Sequence, residues 1–191
     1  MLLKNPLNFI NGRSMTRGYP EGYEQLTIGM GCFWGAERLY WKIPGVYVTS
    51  VGYGGGHGEN PNYESICSGV SGHAELVHIV FDPNIVSFDA LLKIFFENHD
   101  PTQGNRQGND RGSQYRSVLF TRGKSQAAKA AAARALYNDA YTKAAAPEIT
   151  TQIMPAETYH FAEDYHQQYL AKNPGGYCAI GPTGVVCPVP E

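Results

Sequence analysis

The stretch EQLTIGMGCFWGAERLYWKIPG, residues 24–45, changes character halfway. Its first part, EQLTIGM, reads as a short strand over 24–30. Its second carries Ala36, Leu39, Tyr40 and Ile43 at helical spacing, which predicts a helix over 35–43 stopped by Pro44-Gly45. Cys32 therefore falls between a strand and a helix N-terminus. Working outward, a second strand is expected over 46–53, followed by the glycine-rich loop GGGHGENPNYESICSG, residues 54–69. A third strand over 73–81 sets Glu75, Val77, Ile79 and Phe81 on one face and ends at Asp82-Pro83. Ser87 then caps a helix whose apolar positions Phe88, Leu91, Leu92, Phe95 and Phe96 follow the amphipathic pattern.

The segment HDPTQGNRQGNDRG, residues 99–112, is too polar and too long for a minimal connection and reads as a functional loop. A strand over 115–120 follows. The Ala- and Lys-rich stretch 125–143 predicts a helix that faces solvent and has no site role. A strand over 149–154 and a helix over 161–171 complete the pattern. Strands separated by helices, without repeats, predict a single α/β domain of two layers. The expected organisation is an N-terminal extension over 1–23, a catalytic domain over 24–172 and a mobile coil tail over 173–191.

The chain has 191 residues, with 42% hydrophobic and 17% charged, which places it among globular proteins. Fifteen Lys and Arg against seventeen Asp and Glu give a net charge of -2 without a basic run, so nucleic acid is not an expected partner. No apolar stretch is long enough to span a membrane, and the start of the chain is broken by Lys4, Asn5, Pro6 and Asn8. These features predict a soluble, cytoplasmic protein with no membrane partner. Four cysteines, Cys32, Cys67, Cys178 and Cys187, form no CxxC pair, and six histidines show neither HxH nor HExxH spacing. No metal site is expected. Two of the cysteines lie in the Gly/Pro-rich tail NPGGYCAIGPTGVVCP, residues 173–188, which suits thiol exchange better than core packing.

A thiol at a helix start feels the positive end of the helix dipole, so Cys32 is expected to ionise more readily than a free cysteine and to act as a nucleophile; the alternative is a buried packing residue. Glu75, on an apolar strand face, is expected to hold its proton and to serve as an acid; the alternative is a strand-end carboxylate in water. Phe33 and Trp34 read equally well as core aromatics. Tyr63, Asp110 and Tyr115, taken singly, carry no decisive signal. A Cys–His thiol hydrolase and a non-catalytic peptide-docking module remain open at this level.

The motif GCFWG at 31–35 resembles the signature of the A-type peptide methionine sulfoxide reductases, in their three-cysteine, thioredoxin-recycled form. GYGGG at 52–56, PNYESICSG at 61–69, GHAE at 72–75, ENHDPT at 97–102, QGNDRGSQYRS at 107–117 and HQQYL at 166–170 extend the resemblance in order along nearly the whole chain. It implies an α/β-roll with a mixed sheet, and reduction of methionine (S)-sulfoxide, free or in proteins, to methionine. It further implies that Cys32 is the nucleophile, Phe33 and Trp34 form the methyl pocket and Glu75 is the acid. Tyr63 and Tyr115 would hold the sulfoxide oxygen, and Asp110 would orient the substrate. Cys178 and Cys187 would be the resolving and recycling thiols, thioredoxin the reductant, and the enzyme a monomer without metal or organic cofactor. Cys67 has no counterpart and is expected to be an ordinary thiol.

Overall fold

A computed structural model describes residues 3–58, 60–178 and 180–185. Six strands form one mixed sheet in the order β7-β6-β1-β3-β2-β8. Here β1 is Glu24–Gly29, β2 Val46–Gly54, β3 Ala74–Phe81, β6 Val118–Thr121, β7 Gln152–Pro155 and β8 His160–Phe161. All neighbours are antiparallel except β6 and β7. Strand β3 lies at the centre, pairing Ile28 with Val77 on one side and Tyr53 with Glu75 on the other.

Helices α1 (Phe33–Tyr40), α3 (Phe88–Glu97) and α4 (Gly123–Lys143) contribute to the main core, which also contains Leu26, Ile28, Val51, Val77, Ile79 and Leu119 from the strands. This is the side to which the alternation over 73–81 assigned Val77, Ile79 and Phe81. The alternate residues are buried as well. Leu76 packs with Val118 and Phe120, and Val80 packs with Met15 and Val48 under residues of the N-terminal segment. That segment is tied down by Asn8, whose Nδ2 donates to the Thr49 carbonyl at 3.0 Å, and by Met15, which is 1% exposed.

Several elements depart from the sequence reading. The helix over 125–143 exists, but it does not simply face solvent: Gln126, Ala130, Ala133, Tyr137 and Tyr141 form a buried row, with Tyr137 stacked on Phe96 at 4.8 Å. Small alanines let it approach α3 closely, so a face low in hydropathy is still a packing face. The glycine-rich loop contains a five-residue helix, α2 (Tyr63–Cys67), too short for periodicity to reveal. Its capping box was legible: Asn62 Oδ1 accepts from Ser65 N at 2.8 Å, and Asn62 N donates to Ser65 Oγ at 3.0 Å.

The loop over 99–112 holds a small hairpin, β4 (Arg106–Gln107) with β5 (Asp110–Arg111). Residues Ser113–Tyr115 form a 3-10 turn, and the strand expected from 115 begins only at Val118. The helix expected over 161–171 is reduced to α5 (Tyr169–Lys172): Phe161 pairs with Gly52 in the sheet, residues 164–168 form turns, and Gln168 just before α5 is left-handed, φ 48°. Buried Glu37 accounts for that local geometry by accepting from both Gln168 N, at 2.9 Å, and Gln168 Nε2, at 2.8 Å. No helix among the described residues is long and apolar enough to cross a membrane.

Candidate active site

Cys32 is the N-cap of α1 and is 7% exposed. The turn before it needs a glycine: Gly31 has φ 94°, and a Cβ there would come within 2.6 Å of Gln107 Cγ. Gln107 is itself fixed, donating from Nε2 to the Asp100 carbonyl at 2.9 Å and accepting from Asp100 N at 3.1 Å. The polar loop is thereby locked beneath the cysteine turn.

From α1 the chain presents Cys32, Phe33 and Trp34 to a cavity of about 160 Å³. The other walls are Glu75 of β3, Tyr63 of α2, Asp110 of β5, Tyr115 from the end of the 3-10 turn, and Tyr177 from the coil after α5. Six separate parts of the chain thus converge on one space. All the predicted site residues outside the tail lie there together. Among the described residues, no histidine lines it and no group of three or more His, Cys, Asp or Glu side chains could hold a metal ion. A larger cavity, lined by glycines 55, 56 and 58 with His73 and His160, contains neither a thiol nor any of the predicted residues.

Glu75 is 3% exposed, and its Oε2 accepts from Phe33 N at 3.0 Å. Burial pushes its carboxyl up to about 8, with nearby Asp110 adding to the shift and the Phe33 hydrogen bond opposing it. It therefore carries its proton at neutral pH.

The expectation of a readily ionised Cys32 is corrected by the same physics. Burial raises the thiol far above its ordinary range, and the charges of Glu75 and Asp110 add to this. The backbone amides of Trp34 and Gly35 act in the opposite direction and are outweighed. The helix end is where the sequence placed it, but the cost of desolvating an anion exceeds what two amides return. Tyr63 is pushed up to about 12, first by its hydrogen bond with Cys67 and then by burial, and burial raises Tyr115 as well. Both phenols therefore keep their O–H at neutral pH. Asp110 Oδ1 accepts from Tyr177 Oη at 3.1 Å, and its buried Oδ2 has no hydrogen-bond partner among the described residues.

A surrounding layer holds the aromatic wall. Trp34 stacks on Tyr169 at 3.9 Å and donates its indole N–H to His166 Nδ1 at 3.0 Å. Burial pulls His166 down to about 4, so its ring is neutral and accepts. Glu163 accepts from Tyr53 Oη and from Tyr63 N, both at 2.9 Å, joining β2 to the start of α2. Sequence reasoning about individual side chains missed Tyr177, Glu163, His166 and Tyr169. The stretch HQQYL at 166–170 was the available signal for the last two.

The three described cysteines, Cys32, Cys67 and Cys178, are all free thiols. Cys67 is exposed at the end of α2. Cys178 lies outside the cavity but against α1, where its Sγ would be 2.9 Å from a Cβ built on Gly35. The expectation for Cys187 falls outside the described residues.

The single α/β domain thus brings a buried thiol, a protonated carboxyl and two phenols to one cavity, with a second thiol, Cys178, in the coil that lies against α1. The family model described as "Peptide methionine sulfoxide reductase" matches residues 24–186. The chain is 58% identical over 182 residues to peptide methionine sulfoxide reductase MsrA 1 of Caulobacter vibrioides, covering 95% of this chain and 84% of that protein. It is 53% identical over 182 residues to MsrA 1 of Synechocystis, covering 95% and 82%. The solved structure of methionine sulfoxide reductase A of Corynebacterium diphtheriae superposes with TM-score 0.86 at 46% identity, covering 99% of this chain and 92% of that one. The chain belongs to the peptide methionine sulfoxide reductase family, and within it to the MsrA type.

Proposed function

We propose that the chain reduces methionine (S)-sulfoxide, free or in proteins, with Cys32 as nucleophile and Glu75 as proton donor, and that thioredoxin restores its thiols. The observation that carries this reading is the cavity in which a buried thiol, a carboxyl that keeps its proton and two phenol groups face one another. About 160 Å³ is room for roughly five water-sized groups, enough for the four heavy atoms of a terminal CH2–S(O)–CH3 unit. Phe33 and Trp34 supply the apolar wall for the methyl group. Tyr63 and Tyr115 donate to the oxygen, and the unpartnered Asp110 Oδ2 accepts from the substrate's polar groups.

Sulfoxide oxygen leaves sulfur only when it is protonated or strongly hydrogen-bonded. Glu75 gives its proton to that oxygen while the Cys32 sulfur attacks the sulfoxide sulfur, and the thiol proton replaces the one Glu75 has lost. The transfer keeps both groups close to neutral, which suits a site that penalises charge on either. The hydroxyl then passes from the methionine sulfur to the Cys32 sulfur as the S–S bond made in the attack breaks; methionine sulfur gains two electrons, Cys32 sulfur loses two, and the products are methionine and the Cys32 sulfenic acid.

Cys178 then condenses with that acid, releasing water and forming the Cys32–Cys178 disulfide. Attack by Cys187 on Cys178 frees Cys32, and thioredoxin reduces the disulfide left on the tail. The dependence on thiols supports a reducing compartment such as the cytoplasm. A Cys–His hydrolase is disfavoured because His166 Nδ1 is engaged by the Trp34 indole and no described histidine lines the cavity.

The test is a coupled assay with thioredoxin, thioredoxin reductase and NADPH. NADPH consumption should require both the protein and methionine sulfoxide, and Cys32→Ser should abolish it. Sulfoxide-dependent consumption by that variant would refute the reading.

A further inference from the structure

Cys32, Gly35 and Arg38 stand three residues apart, on one ridge of α1 that begins at its N-cap. The tail crosses this ridge. At Gly35 a side chain would lie 2.9 Å from Cys178 Sγ and 2.8 Å from Ile180 Cγ1, so only a glycine lets the tail lie so close to the helix. At Arg38 the guanidinium Nη2 donates to Cys178 Sγ at 3.0 Å. Among the described residues this sulfur is the sole hydrogen-bond partner of the Arg38 guanidinium, and no carboxylate pairs with it. The other contact of the sulfur is a long donation to the Ile180 carbonyl at 3.9 Å, and Ile180 packs against the main core. On either side of the cysteine, then, the tail is anchored: by Tyr177 on Asp110 and by Ile180 on the core.

We propose that Arg38 is the positioning residue for the resolving step, seating Cys178 about one helical turn from Cys32 and favouring attack by its sulfur on the Cys32 sulfenic acid. This rests on the reading of Cys32 and Cys178 given above. A guanidinium gives its charge-assisted hydrogen bond most strongly to an anionic sulfur, which is the attacking form. Its long, flexible side chain can follow the sulfur toward Cys32. In the step itself the Cys178 sulfur forms the S–S bond, the S–O bond of Cys32 breaks, and the departing hydroxide leaves as water with the proton given up by Cys178.

The experiment mixes the full-length reduced enzyme with methionine sulfoxide and no reductant, quenches with acid and an alkylating agent, and follows methionine alongside all disulfides containing Cys178 by mass spectrometry. The comparison is between the unsubstituted enzyme, Arg38→Gln and Arg38→Lys. Arg38→Gln should slow disulfide formation about three- to fivefold, the order expected for one partly exposed charged contact, while Arg38→Lys keeps at least half the rate. Raising salt should slow the unsubstituted enzyme toward the Gln variant and leave that variant unchanged. Disulfide formation as fast or faster in Arg38→Gln would overturn the inference. So would a Lys variant as slow as Gln together with no salt effect, since that pattern marks packing and not charge. If the unsubstituted enzyme forms no methionine, the reading of the site fails and the inference falls with it. If methionine forms normally and only the disulfide kinetics disagree, the inference alone fails.

Discussion

Replacing Glu75 by Gln removes a proton donor while leaving an oxygen to accept from Phe33 N, so the turn that carries Cys32 keeps its 3.0 Å anchor. With its carboxyl pushed up to about 8, Glu75 is about 90% protonated at pH 7 and about 10% protonated at pH 9. The acid-catalysed step should therefore run at full rate below about pH 7, and above about pH 8 fall tenfold for each further pH unit. The sign follows from the chemistry: the protonated form is active, and alkali removes it. Loss of a general acid costs on the order of 10²-fold, and the Gln variant should show that loss at pH 7. Its residual rate should no longer share the alkaline limb centred near 8. The assay is methionine formation in a single turnover without reductant, by rapid quench across about pH 6 to 9.5. A loss smaller than about threefold, or an unchanged alkaline limb in Glu75→Gln, would remove Glu75 as the proton donor.

The Cys32 thiol should react with iodoacetamide with a midpoint above the ordinary value of about 8.5, and Glu75→Gln should lower that midpoint by removing a neighbouring negative charge. An ordinary midpoint in the unsubstituted protein would refute the burial account. Trp34→Ala deletes the wall stacked on Tyr169, and should slow reduction about tenfold or more while relaxing the preference for the S epimer. Equal rates on separated R and S sulfoxides in the unsubstituted enzyme would contradict a pocket that fixes methyl, oxygen and side chain at three points. Cys178→Ser should yield about one methionine per enzyme and then stall, and Cys187→Ser should accumulate a Cys32–Cys178 disulfide; peptide mapping reads both outcomes. A dominant disulfide through Cys67 in the unsubstituted enzyme would show that the resolving thiol is misassigned.

The parts of the fold legible in the sequence are those governed by local pattern. The change of period around Cys32 and the amphipathic run from Phe88 to Phe96 reflect elements packing one face, whereas the strand read over 73–81 is buried on both. Strand order was not legible, because β3 sits between β1 and β2 through contacts that join distant segments. The burial of α4 was hidden by its alanines, and the left-handed Gln168 depends on Glu37, distant in sequence. At the site, Cys32 could be argued from position alone; for Glu75 position left a strand-end carboxylate in water as the stronger reading, and its motif tipped the balance. Tyr63, Asp110 and Tyr115 gained meaning only through their motifs, since no period relates three residues on separate short elements. The thiol shift ran against expectation for a related reason: the sequence locates a helix end, but how deeply that end is buried is set by the loop over 99–112 and by Tyr177. His166 and Glu163 act through Trp34, Tyr53 and Tyr63, contacts that span most of the chain.

The central claim, that Cys32 in this cavity takes the oxidising equivalents of a sulfoxide, is tested most directly by counting methionine in a reductant-free mixture of reduced enzyme with excess methionine (S)-sulfoxide. The unsubstituted enzyme should release methionine in a burst limited by its own thiols, with at least about one per chain from the Cys32 step. Cys32→Ser should release none. Methionine released by Cys32→Ser, or no burst from the unsubstituted enzyme, would contradict the account.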